Sequence, residues 1–203
     1  MSNTGINILV LGKTGVGKSS FCNYIFDQEL FRTGTGKPVT EWREHFQHET
    51  IRHDGFDLNL FDSVGIEADN LTLWKSHLKK LLNKHNHDEA DPNQWIHGAF
   101  YLINAASARV EPTEIEIIKQ LADEGIAISV ILTNSDAANE EIKFNLKETI
   151  KQQVAIKSIN IHEVCSVTIR KRSGSVIQKG KEDILKDFLR NLDSALCKKS
   201  LLY

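Results

Sequence analysis

Three cysteines, Cys22, Cys165 and Cys197, are all the sequence holds, and they stand too far apart for a C-x-x-C or metal-ligand spacing. They read as reduced thiols, the usual state in a cytosolic chain. Long apolar runs are lacking: no stretch approaches the roughly 18 uninterrupted apolar residues that a membrane-spanning helix needs. The opening Met1–Gly12 stretch has no charged segment followed by a long apolar one, which argues against a secretory signal. Charge of one sign is lacking too. With 25 Lys and Arg against 27 Asp and Glu the formal net charge is −2, so no global basic field draws the protein to nucleic acid or an anionic membrane. There is no internal repeat, long linker or low-complexity tract. What remains is a chain of 203 residues, 40% hydrophobic, enough for one full-sized domain and too short for two. The expectation is a single domain over residues 1–203, without a transmembrane segment and cytoplasmic.

Short β-rich runs alternate with amphipathic stretches. Ile6–Leu11 is an apolar run that stops at Gly12, as a buried parallel strand does. A helix is predicted over about 18–30, with Phe21, Tyr24, Ile25 and Phe26 on its inner side. Strands over 42–53 and 56–62 flank Asp54-Gly55, a hairpin signal. Further helices are predicted at 71–84, 112–124, 139–157 and 181–198, and further strands at 96–103, 126–132 and 159–165. Strands alternating with helices predict a three-layer α/β fold with a mainly parallel sheet covered on both faces, the hairpin adding one antiparallel edge strand.

The segment Gly12-Lys13-Thr14-Gly15-Val16-Gly17-Lys18-Ser19 matches G-x-x-x-x-G-K-[ST] in full, after a strand and at the start of a helix. Both contexts matter chemically. Glycines let successive N–H groups turn inward around phosphate oxygens, and the helix N-terminus adds positive potential. Lys18 is placed to contact the outer phosphates, Ser19 Oγ to ligate Mg²⁺, and the Ser20 N–H to reach an α-phosphate.

Three further motifs come in order along the chain: Asp62-Ser-Val-Gly65 at a strand end, Thr133-Asn134-Ser-Asp136 after the next-but-one strand, and Cys165-Ser166-Val167 after the last. With these motifs the chain resembles small Ras-like P-loop GTPases of the translation-factor-related class. More narrowly, it is similar to the bacterial Era-like and immunity-related-GTPase-like G domains, the 50S ribosome-binding or HSR1 type. The resemblance implies a six-stranded Ras-like sheet and a single G domain. It implies that Asp62 holds a Mg²⁺-bound water, that Gly65 offers its N–H to the γ-phosphate and that a switch threonine completes the Mg²⁺ shell, for which Thr40, just before the next strand, is preferred to Thr33 and Thr35. It assigns Asp136 to the guanine N1–H and exocyclic amine, a donor pair adenine lacks. Ser166 and Val167 take the place of the loop that recognises guanine O6. The chain departs from the pattern at Asn134, where the family has Lys.

A second departure concerns hydrolysis. Ras-like enzymes often carry a water-orienting Gln after D-x-x-G; here Ile66 stands there, and it can neither accept a proton nor hold a water. Lys18, Mg²⁺ and the loop amides then supply electrostatic stabilisation, and slow or assisted turnover is expected. Gly15 replaces the Asn of potassium-stimulated relatives, so a potassium requirement is not supported. Arg109 reads as an ordinary solvated arginine, with a role within the molecule or across a dimer as the rarer reading. His85-Asn-His87-Asp88 lacks the helical pairing of zinc sites. Trp42, Trp74 and Trp95 read as core residues, and the basic 170–181 stretch as a surface loop with a weak claim to ribosome or RNA contact.

The leading expectation is a GTP-binding switch that hydrolyses GTP to GDP. One alternative is a nucleotide-dependent assembly module with GTP at a self-association surface; a P-loop ATPase or kinase ranks below it. Self-association or an activating protein are the partners implied. Unlike Era-type relatives, only one helix follows the last strand, so either partners supply specificity or this is the G domain of a longer chain.

Overall fold

The computed structural model describes residues 5–31, 46–53, 56–85, 94–155, 159–166, 170–171, 174–175 and 178–200. In chain order the elements are β1 (Gly5–Gly12), α1 (Lys18–Phe26), β2 (Phe46–His53), β3 (Phe56–Ser63), α2 (Leu71–Lys84), β4 (Ile96–Asn104), α3 (Pro112–Asp123), β5 (Ala127–Thr133), α4 (Glu140–Val154), β6 (Asn160–Glu163), β7 (Arg170–Lys171), β8 (Gly174–Ser175) and α5 (Lys181–Ser200). Six strands form one sheet in the order β2-β3-β1-β4-β5-β6, and β7-β8 form a separate ribbon. Only β2 runs antiparallel within the large sheet, paired with β3 from Phe46↔Ser63 to His53↔Phe56.

The alternation along each strand builds a core on either face, because successive side chains of a strand point to opposite sides. Leu9 and Leu11 of β1, Tyr101 and Ile103 of β4 and Val130 and Leu132 of β5 pack with Trp74 and Leu78 of α2, Ile118 of α3 and Leu146 and Ile150 of α4. Ile8, Val10, Phe100, Leu102 and Ile131 face the other way, against Phe21 and Ile25 of α1 and Ile184 and Phe188 of α5. Phe100 sits between two of these rings, edge-on to Phe21 with centroids 5.2 Å apart and tilted against Phe188 at 4.2 Å. Burial on both faces explains why β1 and β4 read as continuous apolar runs.

Most predicted elements are present, with shifted ends. The first helix was expected to reach residue 30 but stops at Phe26. Asp27 adopts a left-handed conformation (φ 52°). The Asn23 side chain then draws the chain back, accepting from the N–H groups of Leu30 and Phe31 at 2.9 and 3.0 Å and donating to the Phe31 carbonyl. Helix α4 is shorter than the predicted 139–157. The Asn139 side chain caps its first turn by accepting from the Ile142 N–H, and left-handed Ala155 ends it. The last strand of the sheet covers 160–163 rather than 159–165. The 170–181 stretch, read as an irregular loop, includes the β7-β8 pairing. Trp74 and Trp95 are buried as expected; Trp42 and the Asp54-Gly55 turn lie outside the described residues. Among the described residues no helix is long and apolar enough to cross a membrane.

Strand order places the functional crevice. From β1 the chain crosses to β3 on one side and later to β4 on the other, so a gap opens beyond the carboxyl end of β1, where ligands of open α/β sheets bind.

Candidate functional site

The loop after β1 fills that gap. Gly17 holds φ 93° immediately before α1, a conformation that costs a residue with a Cβ roughly 1 kcal/mol or more. Lys18 is 8% exposed, and its Nζ donates to the carbonyls of Gly12 and Lys13 at 3.0 Å each. Burial lowers the pKa of this ammonium, against the opposing pull of Asp62. Asp62, at the end of β3, is fully buried, and its Oδ2 accepts from Ser19 Oγ at 2.9 Å. Burial raises the Asp62 carboxyl to about 6, while Lys18 and the Ser19 hydroxyl act the other way. Its Oδ1 is buried without a hydrogen-bond partner among the described residues. Burial thus disfavours both charges, and their mutual attraction only partly offsets it.

That arrangement fits a divalent cation. A carboxylate oxygen buried without a donor, beside a hydroxyl on a helix N-terminus, is the oxygen-rich donor set a hard cation takes. Ser19 and Asp62 are therefore the described residues that can hold Mg²⁺; Thr40, expected as a third, lies outside the described residues.

Lys13 departs from the phosphate-facing role of its neighbours. Its ammonium pairs with Glu111 ahead of α3 and lies 3.8 Å from Glu114, so its side chain is drawn toward α3. The segment after Asp62 packs directly on the loop. Ile66 N–H donates to the Gly12 carbonyl at 3.2 Å and Thr14 N–H donates to the Ile66 carbonyl at 3.3 Å, a parallel bridge centred on Lys13 and Ile66. This closeness explains the glycine before it. A Cβ on Gly65 would meet Thr14 Oγ1 at 2.3 Å and Thr14 Cα at 2.4 Å.

A second loop, after β5, is tied to the first. Thr133 is 2% exposed, and its hydroxyl donates to the Val16 carbonyl at 2.8 Å, 117 residues away in sequence. Asn134 takes a left-handed conformation, and its Nδ2 donates to Asn104 Oδ1 at 3.2 Å. Asn104, a residue the sequence reading did not select, also accepts from the Ala106 N–H at 3.0 Å and so joins the loops after β4 and β5. Its position at a strand end was the only signal. Ser135 N–H donates to the Val164 carbonyl at 3.2 Å, fixing the loop that carries Asp136 against the end of β6. Ser166 lies just beyond, its carbonyl accepting from Gln178 Nε2 at 2.7 Å; Val167 lies outside the described residues. A cleft of about 490 Å³ runs between α1 and this segment, lined by Ser20, Tyr24, Asp27, Ser166 and Gln178 among others.

The predicted residues that are described thus gather from the ends of β1, β3, β5 and β6 at one edge of the sheet. The septin family model matches residues 2–184 of the sequence. The chain belongs to the septin family. This corrects the expectation of the translation-factor-related class and, within it, of an Era-like or immunity-related-GTPase-like domain, while the broader reading as a P-loop GTPase fold stands. Among curated relatives, septin homolog spn5 of Schizosaccharomyces pombe is 25% identical over 168 residues, covering 75% of this chain and 35% of that one. The chain spans about a third to a half of the length of such relatives, 35% of spn5 and 53% of septin homolog spn2. The septin GTPase domain from Chlamydomonas reinhardtii aligns with a TM-score of 0.66 at 13% identity, over 97% of this chain and 92% of that one. The chloroplast translocon components atToc33 and psToc159 give a TM-score of 0.66 at 15% identity, over 93% and 83%. These structures share the Ras-like fold of this septin-family chain.

Proposed function

We propose that this septin-family chain is one G domain that binds GTP and GDP with Mg²⁺ and hydrolyses GTP slowly or with assistance. The observation that carries the reading is the buried Ser19–Asp62–Lys18 group. Asp62 is 0% exposed and raised to about 6 by burial, with Oδ1 unpartnered among the described residues. A Gly-rich turn with only a structural role has no reason to bury an ammonium and a carboxylate and leave one carboxylate oxygen without a donor.

In this reading Ser19 Oγ and the Asp62 carboxylate, with Thr40, hold the cation, which when bound neutralises charge on the phosphates. Lys18 is pinned to the carbonyls of Gly12 and Lys13 and presents a fixed ammonium to the outer phosphates. The N–H groups of the loop and of Ser20 cradle phosphate oxygens, and Gly65 offers its N–H to the terminal phosphate. Asp136 reads guanine, aided by the backbone around Ser166 and Val167. With Asn134 in place of a lysine stem, guanine affinity is expected to be moderate.

A carboxylate at Asp136 can accept from the guanine N1–H and exocyclic amine together, a donor pair adenine lacks, so calorimetry with Mg²⁺ should give GDP and GTP binding and no ADP binding. Equal affinity for ADP would refute the base assignment. A second reading extends the first: GTP lies at a surface of self-association. The structurally similar translocon components, for whose GTPase activity dimerisation is important, support it. Turnover per molecule that rises with protein concentration is the expected sign. Cytoplasmic location is part of the proposal. Ribosome or RNA contact, expected from the basic 170–181 stretch, finds no support in the septin relatives and is not proposed.

A further inference from the structure

The residue after the D-x-x-G motif cannot face a phosphate in this fold. Ile66 is 7% exposed and packs with Leu11, Tyr101 and Trp74 beneath the loop, while its backbone N–H and carbonyl are taken by Gly12 and Thr14. Trp74 secures the same segment by donating its Nε1–H to the Val64 carbonyl at 3.0 Å. The usual place of a water-orienting side chain is therefore sealed into the core.

The bridge that seals it also sets the register of the two segments beyond it. Because Lys13 and Ile66 pair in parallel, the next residues on each segment, Thr14 and Glu67, come side by side. Thr14 Oγ1 donates to Glu67 Oε1 at 2.9 Å, on the exposed surface of the loop. Glu67 Oε2 takes no hydrogen bond from a described residue. Thr14 is itself a residue of the phosphate loop, so this hydrogen bond holds the Glu67 carboxylate against that loop. A glutamate fixed by one oxygen, with the other open beside a phosphate loop, has the geometry of a general base.

We propose that Glu67 orients and deprotonates the water that attacks the γ-phosphate, taking the role one position later than the residue sealed by the core. The inference rests on the GTPase reading of the same site. The water oxygen bonds to the γ-phosphorus as the bond from that phosphorus to the β–γ bridging oxygen breaks. GDP leaves with the electron pair of that bond. One water proton passes to Glu67 Oε2 and from there to the released phosphate, leaving the carboxylate as it began. The Thr14 hydroxyl keeps Oε1 occupied, so that Oε2 remains the acceptor.

The test uses the full chain with Mg²⁺ and GTP under single-turnover and steady-state conditions, with GDP affinity measured alongside. Glu67→Gln keeps the shape of the side chain and removes its basicity. The expected result is a fall in kcat of about 10²-fold, with KM and the GDP Kd within about 3-fold of the parent. Thr14→Val, which frees Oε1, should lower kcat by a smaller factor, about 3- to 10-fold. Unchanged or faster turnover in Glu67→Gln overturns the proposal, as does a GDP affinity that falls in step with kcat. An unmodified chain that binds GDP without hydrolysing GTP overturns both this proposal and the hydrolysis reading. One that binds no guanine nucleotide overturns the site assignment itself.

Discussion

Replacing Thr133 by valine removes a single hydroxyl and keeps the shape of the side chain. That hydroxyl lies at 2% exposure and donates to the Val16 carbonyl at 2.8 Å, with the Ile103 carbonyl at 3.3 Å as a second acceptor. Val16 is itself buried in the phosphate loop, so the carbonyl it leaves behind has little access to water. A lost hydrogen bond that strands a buried acceptor costs about 1–3 kcal/mol. For a chain of this size, each kcal/mol moves Tm by roughly 2–4 °C, so scanning calorimetry of the nucleotide-free protein should show a drop of about 2–12 °C. The bond also joins the two loops that must grip one nucleotide. If about 1.4 kcal/mol of the loss falls on their mutual placement, GDP affinity weakens about tenfold. Thr133→Ser keeps the donor and should restore most of that affinity. A valine variant with unchanged Tm and unchanged GDP affinity would show that the bond neither stabilises the fold nor couples the loops.

Three other outcomes are expected. Asp62→Asn removes a carboxylate that burial disfavours, so the metal-free protein should melt at the same or higher temperature while the gain in nucleotide affinity on adding Mg²⁺ disappears; an intact Mg²⁺ effect, read by titration with and without EDTA, would refute its role. Asp136→Asn should move base preference from guanosine toward xanthosine diphosphate, since an amide cannot accept two donors as a carboxylate does, and an unaltered preference in competition binding would count against the assignment. At Glu163 burial pushes the carboxyl upward, but hydrogen bonds from Lys147 and Lys143 outweigh it and hold the group below its ordinary value. A depressed carboxylate contributes stability that is present above its unfolded value near 4.5 and lost as pH falls through the folded one. Glu163→Gln should therefore lower stability at pH 7 by about 1–2 kcal/mol and flatten the acid limb below about pH 4.5, as followed by denaturant melts across pH; an unchanged acid limb would contradict the pairing.

The sequence by itself determined the alternation of strands and helices, the phosphate loop at Gly12–Ser19 and the order of the motifs downstream of it. These are local signals: continuous apolar runs in β1 and β4, a glycine-lysine-serine spacing, a carboxylate at a strand end. Family placement was legible only to the level of the P-loop GTPase fold, because the motifs quoted, and the hydrophobic Ile66, are not peculiar to the Era-like group. Helix ends were misjudged where a side chain overrode helical propensity, as Asn23 does by folding the chain back after Phe26.

Tertiary structure alone decided where the side chains of the motifs point. Lys13 stands among the phosphate-loop residues in sequence, yet Glu111 draws its side chain to α3. Ile66 looked like a poor substitute at a catalytic position, whereas the bridge to Gly12 and Thr14 takes it out of that position and brings Glu67 against Thr14 instead. Each of these contacts joins residues far apart along the chain, and their register depends on how β1, β3 and β4 pack side by side. No spacing along the chain encodes such a register, because it is fixed only when the sheet closes over its two cores.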